Sequence, residues 1–190
     1  VIKRKTAETD VIVEINLDGE GAGTIDTSMP FLDHMLVLMA RHSLIDLSVT
    51  GRGDTPVDDH HLIEDIGLCL GEALKKALGD KAGIGRYGTA FIPMDESLGH
   101  VSLDLSGRPG LVYNVEFEHE KIKEFELLQL REFFKALADQ GGITLHINAI
   151  YGRNPHHIAE ALFKSFARAL GSAVSIDSRI KGVLSTKGSL

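Results

Sequence analysis

Asp58-Asp59-His60-His61-Leu62-Ile63-Glu64-Asp65 occurs a second time in reduced form, as Asn154-Pro155-His156-His157-Ile158-Ala159-Glu160. In each copy a glutamate stands three residues after the second of two adjacent histidines. Each copy opens an apolar run, and the runs end alike, in Lys76-Ala77-Leu78-Gly79 and Arg168-Ala169-Leu170-Gly171. The pattern predicts a helix in both. Side chains four apart share a helical face, so His60 points with Glu64 and His156 with Glu160. His61 and His157 sit about a quarter-turn further round, too far to close easily on the same ion as their neighbours. One turn of each helix can therefore serve two metal ions.

The surroundings of the two copies repeat as well. Residues 4–17 alternate, with Val11, Val13, Ile15 and Leu17 on one side, which predicts a half-buried strand. Gly19, Gly21 and Gly23 supply a turn, and residues 24–27 return as a second strand. Pro30 begins a helix that runs to Arg41. Residues 44–50 read as a strand and 51–56 as the loop before the first His-His helix. In the second half, 85–93, 101–105 and 111–118 read as strands, 127–139 as a helix and 143–150 as a strand. The second His-His helix follows.

The expected fold is α+β, a tandem duplication of two units. Each is a small, mostly antiparallel sheet with two helices on one face, and the units pack through their helices. Residues 1–84 form the first unit and 85–177 the second. Residues 178–190 are a tail without periodicity.

Composition narrows the function. Of 190 residues, 43% are hydrophobic and 25% charged, as in ordinary globular proteins. A net charge of −7 argues against nucleic acid as a partner, because that binding rests on phosphate neutralisation. No apolar run approaches the ~18 residues of a membrane span, and the opening residues lack the apolar core of a secretion signal. The single cysteine, Cys69, excludes an internal disulfide and a thiolate metal site, and fits a reducing compartment, the cytoplasm.

Two further residues join the histidine pairs. His34 lies between apolar neighbours on the helix before the first pair, and its counterpart in the second half falls near Glu132. Pseudo-symmetry then suggests two groups, whose ligands need not come from one chain: His60, Glu64 and Glu132 with His157, and His156, Glu160 and His34 with His61. Imidazole and carboxylate without thiolate suit a six-coordinate Mn²⁺ or Fe²⁺ with open positions better than a closed zinc site. A lyase, a dinuclear hydrolase with bridged ions about 3.5–4 Å apart, and a shell protein joined by metals all remain compatible with that donor set.

Several motifs then fall in order: Arg4-Lys5-Thr6-Ala7-Glu8-Thr9, Phe31-Leu32-Asp33-His34-Met35-Leu36, the first His-His stretch through Asp65, Pro93-Met94-Asp95-Glu96 and Leu103-Asp104-Leu105-Ser106-Gly107-Arg108-Pro109. His156-His157 through Glu160 with Phe163-Lys164, and Ser185-Thr186-Lys187-Gly188, complete the set. Over essentially its whole length the chain resembles imidazoleglycerol-phosphate dehydratases of histidine biosynthesis. That resemblance implies dehydration of imidazole-glycerol phosphate to imidazole-acetol phosphate, two Mn²⁺ per active site, and a 24-subunit homo-oligomer of trimers with sites at subunit contacts. It implies Glu8 as acid/base, with Asp95 and Glu160 as supporting carboxylates. It implies Arg86, Arg108, Lys164, Ser185, Thr186 and Lys187 as the phosphate site. Lys164 lies two helical turns after His156, on roughly the same face. His42, at a helix end, either caps that helix or contacts substrate. One departure stands out: many members carry a histidine ligand where this chain has Glu132, and a carboxylate can equally ligate Mn²⁺.

Overall fold

In the computed structural model, which describes residues 1–190, the opening alternation forms two strands where one was expected. These are β1 (Ile2–Lys5) and β2 (Thr9–Asn16), antiparallel with Ile2 opposite Val13 and Lys5 opposite Asp10. Thr6 makes the turn. Its Oγ1 accepts the backbone N–H of Glu8 at 3.1 Å and of Thr9 at 3.0 Å, the local side-chain bond that lets threonine close a turn.

The second departure is β3 (Ile25–Asp26), which pairs in parallel with β4 (Asp46–Gly53) instead of returning against β2. The Asp46 carboxylate explains the path. It accepts the N–H groups of Glu20 and Ala22, each at 2.9 Å, and so draws the glycine loop along β4.

Helix α1 (Pro30–Ser43) carries its proline in the first turn and ends at Leu44 in the left-handed conformation, φ 62°. Helix α2 (His60–Leu78) and the later helix α4 (Pro155–Val174) begin alike. The Asp58 side chain accepts the N–H of His60 at 2.8 Å, and that of Asn154 accepts the N–H of His156 at 2.9 Å. Asp or Asn two residues ahead satisfies an N–H that the helix itself leaves unpaired. The helix start, and with it the register of both histidine pairs, is thus fixed locally.

The second half runs β5 (Tyr87–Met94), β6 (Ser97–Asp104), β7 (Gly110–Asn114), β8 (Lys121–Ile122), β9 (Phe125–Glu126), α3 (Gln129–Gly141), β10 (Thr144–Tyr151) and α4 (Pro155–Val174). Strand β7 stops short of the expected residue 118. The chain turns away into the β8–β9 hairpin, which the alternation did not announce.

Duplication shows in the topology. The sheets are ordered β1-β2-β4-β3 and β5-β6-β10-β7, and in each only the last pair is parallel. Helix α2 covers the first sheet and α4 the second, while α3 packs on α2 and α1 on α4. The halves thus interlock, each His-His helix being flanked by its own sheet and by the other half's helix. At the α2–α3 crossing a Cβ on Gly67 would lie 2.6 Å from the Phe133 carbonyl, so the backbones all but touch. Phe133 and Phe134, on the other side of α3, are fully buried against Phe163 and Phe166 of the last helix, with Phe134 4.9 Å from Phe163 between ring centroids. Each such ring contributes about 1.5–3 kcal/mol, and one continuous core spans both halves.

The tail has no helix or strand, yet it is tethered. Ala82 bridges Val183, and the Gly83 N–H reaches the Gly182 carbonyl at 2.8 Å. No helix is long and apolar enough to cross a membrane.

Candidate metal centre and anion pocket

Helices α1 and α4 bring His34, His156 and Glu160 together. Glu160 Oε1 lies 2.9 Å from His34 Nε2 and 3.0 Å from His156 Nε2. The carboxylate is 7% exposed, and its other oxygen accepts from the Lys164 ammonium at 2.6 Å. Burial disfavours its charge, but Lys164, His34 and His156 together outweigh that and hold its pKa at about 2. Glu160 is therefore ionised at any working pH. Asp33, a conceivable partner for His34, is occupied elsewhere: it accepts the N–H and hydroxyl of Thr27 at 2.8 and 2.6 Å.

The second histidine of each pair behaves differently. The quarter-turn offset aims it at the hairpin turn of its own sheet. His61 Nδ1 lies 3.1 Å from Asp54 and 3.7 Å from Glu8, which sits in the β1–β2 turn. His157 Nδ1 lies 2.7 Å from Glu96, and its Nε2 lies 3.8 Å from Asp95, both in the β5–β6 turn. The two hairpin turns are equivalent in the duplication, so each half supplies an acid to its own histidine. Asp54 raises the pKa of His61 and Glu96 that of His157, chiefly through these side-chain bonds.

Within one chain the expected cross-half groups do not form as drawn. His61 gathers with Glu8 and Asp54, not with His34, His156 and Glu160. His157 stays with Asp95 and Glu96 rather than joining His60, Glu64 and Glu132. His60 does face Glu64, at 3.7 Å between Nε2 and Oε2. Glu132 lies on α3, which packs on α2, and its carboxylate pairs with Arg131 at 2.9 Å. Asp54 and Glu96, the two carboxylates that orient ring nitrogens, carry no site role in the sequence reading, although Glu96 stands in the Pro93-Met94-Asp95-Glu96 motif. Asp54 lies in an irregular loop, where no spacing rule applies, but the equivalence of the Glu8 and Asp95-Glu96 turns is a signal that the repeat offered.

Five of the expected phosphate residues share one cavity. Arg86, Arg108, Ser185, Thr186 and Lys187 line a space of about 920 Å³ between the tail and β5. Arg86 is 8% exposed and held by Asp104, with Nε to Oδ1 at 2.7 Å and Nη2 to Oδ2 at 3.0 Å, while Nη1 donates to the Leu184 carbonyl at 2.6 Å. A guanidinium has five N–H donors, so two remain for an anion. Lys164 and His42 lie elsewhere. Lys164 is bound to Glu160, and His42 lines a separate cavity with Arg168. Burial, then the Lys164 and Arg168 charges, lower the His42 pKa.

Fold and clusters together define a class: duplicated α+β proteins whose paired His-His helices gather imidazole and carboxylate, with a basic anion pocket at the other end of the β5–β6 hairpin. A family profile described as imidazoleglycerol-phosphate dehydratase matches residues 27–170, and the chain belongs to that family. The imidazoleglycerol-phosphate dehydratase of Syntrophus aciditrophicus is 63% identical over 190 residues, covering 100% of this chain and 96% of its own. That of Clostridium acetobutylicum is 58% identical over 189 residues, again 100% and 96%. The crystal structure of the Pyrococcus furiosus enzyme in complex with (S)-C348 superposes with a TM-score of 0.86 at 40% identity over 100% of both chains. The Staphylococcus aureus enzyme gives 0.82 at 39% identity, over 93% of this chain and 98% of that one. The activity of the family is that of a hydro-lyase, the dehydration of imidazoleglycerol phosphate in histidine biosynthesis, and the chain is an enzyme of that kind.

Proposed function

We propose that the chain works as a Mn²⁺-dependent dehydratase with two ions per active site, giving imidazole-acetol phosphate. The observation that carries this is the His34–His156–Glu160 cluster, whose donor atoms all lie within 4.8 Å of one another. Two imidazole nitrogens and a carboxylate that stays ionised fit a borderline divalent ion with open positions. His61 and His157, each held at Nδ1 by a carboxylate, keep Nε2 for an ion, and His60, Glu64 and Glu132 complete the ligand set. Bound divalent ions would supply Lewis acidity at the imidazole ring, which matters because no carbonyl acidifies the departing C–H proton.

The protein's own groups divide the rest. Glu8, exposed at its turn and 3.7 Å from His61, takes the carbon-bound proton. Asp95, on the equivalent turn, acts as a supporting carboxylate. Glu160, engaged by three donors, acts as a ligand. Arg86, Arg108, Lys187 and the Ser185-Thr186 hydroxyls hold the phosphate, with Lys164 and His42 reading the rest of the substrate.

The assembly proposed is a cytoplasmic 24-mer built from trimers, with neither nucleic acid nor membrane as partner. Exposed apolar side chains on the second sheet support it: Phe91, stacked on His100 at 4.1 Å between ring centroids, and, further along β5 and on the opposite edge strand β7, Tyr87 and Val112. The test is elemental analysis of purified protein alongside an assay for dehydration, before and after chelation. Manganese near two per subunit-equivalent site, with activity lost on chelation and restored by Mn²⁺, is expected. Full activity in metal-free protein sinks the proposal, and release of inorganic phosphate in place of dehydration would favour a dinuclear hydrolase.

A further inference from the structure

One buried carboxylate, Asp65, takes no part in the chemistry above. It follows Glu64 directly but points away from the ligand face. At 7% exposure it accepts the Thr9 hydroxyl in a short hydrogen bond and the Arg4 Nε at 2.6 Å. Thr9 is itself 4% exposed and opens β2, immediately after Glu8. Its N–H and hydroxyl are both bonded to Thr6 Oγ1, at 3.0 and 3.1 Å, and the Thr6 N–H closes on the Thr9 carbonyl at 2.9 Å. Glu8 thus stands at the tip of a turn whose buried side-chain tether to helix α2 runs through Thr9.

We infer that Asp65, acting through Thr9, is a positioning residue that fixes Glu8 against the helix bearing His60, His61 and Glu64. This inference rests on Glu8 being the acid/base. The Arg4 side chain is 45% exposed, so its pair with Asp65 adds little net stability, and the effect of Asp65 is geometric. It ties the proton-accepting turn to the same helical turn that carries the ligands, so base and ligands keep their separation. Misplacement by about 1 Å costs on the order of 100-fold in rate. The tether through Thr9 is the side-chain link that sets where this hairpin tip lies relative to α2.

The test uses the assembled, manganese-loaded enzyme. Thr9→Val keeps the shape and removes the hydroxyl, and Asp65→Asn removes the charge. Each is expected to lower kcat by roughly 10–100-fold with KM within about twofold, while manganese content and assembly size stay unchanged. Thr9→Ser should restore the rate. In a Glu8→Gln background Thr9→Val should cost nothing further, because the group it positions is already gone. A purely structural role predicts independent, multiplying losses. Metal-replete Thr9→Val enzyme with kcat near the parent's, or losses that multiply with Glu8→Gln, would overturn the inference alone. Should Glu8→Gln itself leave kcat unchanged, the acid/base reading falls first and the inference with it. If Asp65→Asn fails to fold, the Thr9 pair decides.

Discussion

The carboxylate of Glu96 accepts the Nδ1 hydrogen of His157 across 2.7 Å, from a hairpin turn 61 residues away in sequence. The same carboxylate also accepts the N–H groups of Asn154 at 2.8 Å and Arg153 at 3.2 Å. His157 first, and then the Asn154 N–H, hold Glu96 far below the usual carboxylate range. An anion so fixed makes Nδ1 the donor and leaves the Nε2 lone pair for an ion.

Glu96→Gln should therefore weaken manganese binding by about 10–100-fold, the usual cost of losing the group that orients a histidine ligand. Metal titration of the apo-protein reads it directly. Unaltered affinity would mean that His157 is oriented by something else.

Asp104 does for Arg86 what Glu96 does for His157. Freed of its two-pronged partner, the guanidinium no longer faces the tail pocket in one orientation. Asp104→Asn should raise KM for the phosphate substrate by roughly tenfold, about 1.4 kcal/mol, and weaken competition by inorganic phosphate, with kcat little changed. A fall in kcat at constant KM would place Arg86 outside the phosphate site.

Gly67→Ala pits two effects against each other. Helix propensity favours alanine by about 0.5–1 kcal/mol. The new Cβ, however, meets the Phe133 carbonyl at 2.6 Å and the Ala136 Cβ at 2.9 Å, and neither is a flexible side-chain end. Overpacking of this kind costs about 1–3 kcal/mol, so net destabilisation is expected. Denaturant unfolding measures it, and a variant as stable as the parent would show that α2 and α3 can separate freely.

Cys69 is 1% exposed, and burial, reinforced by Asp65, pushes its thiol up to about 11 from 9.0. The folded pKa is raised, so the stability this group contributes is complete below pH 9 and is lost as pH rises towards 11. In that window the unfolded thiol ionises and the folded one does not. Up to about 2–3 kcal/mol is at stake. The alkaline loss of stability should be shallower in Cys69→Ala than in the parent. Identical slopes would contradict a buried neutral thiol, as would ready alkylation of the folded protein at pH 8.

Much of this protein is written locally. The His-His-x-x-Glu repeat, the Asp58 and Asn154 starts and the Pro30 turn specify helices through contacts within a few residues. Periodicity alone therefore located α1 to α4, the pairing of His60 with Glu64 and of His156 with Glu160, and the duplicated α+β plan. Local patterning was misleading where two arms of one hairpin share an alternation, as in β1 and β2. It was silent where a distant carboxylate steers the chain, as Asp46 does for β3.

What each second histidine faces was settled only by tertiary structure. Whether His61 turns to Glu8 and Asp54 or to the other half depends on how the sheet lies under α2, a sum of core contacts spread over the whole chain. The same holds for Asp104 gripping Arg86, whereas Lys164 meets Glu160 one helical turn away on α4. Sequence determined which chemical groups are present and the helical face each occupies, because those follow from backbone geometry over a single turn. Their partners across the fold are fixed by packing, and packing has no period to read.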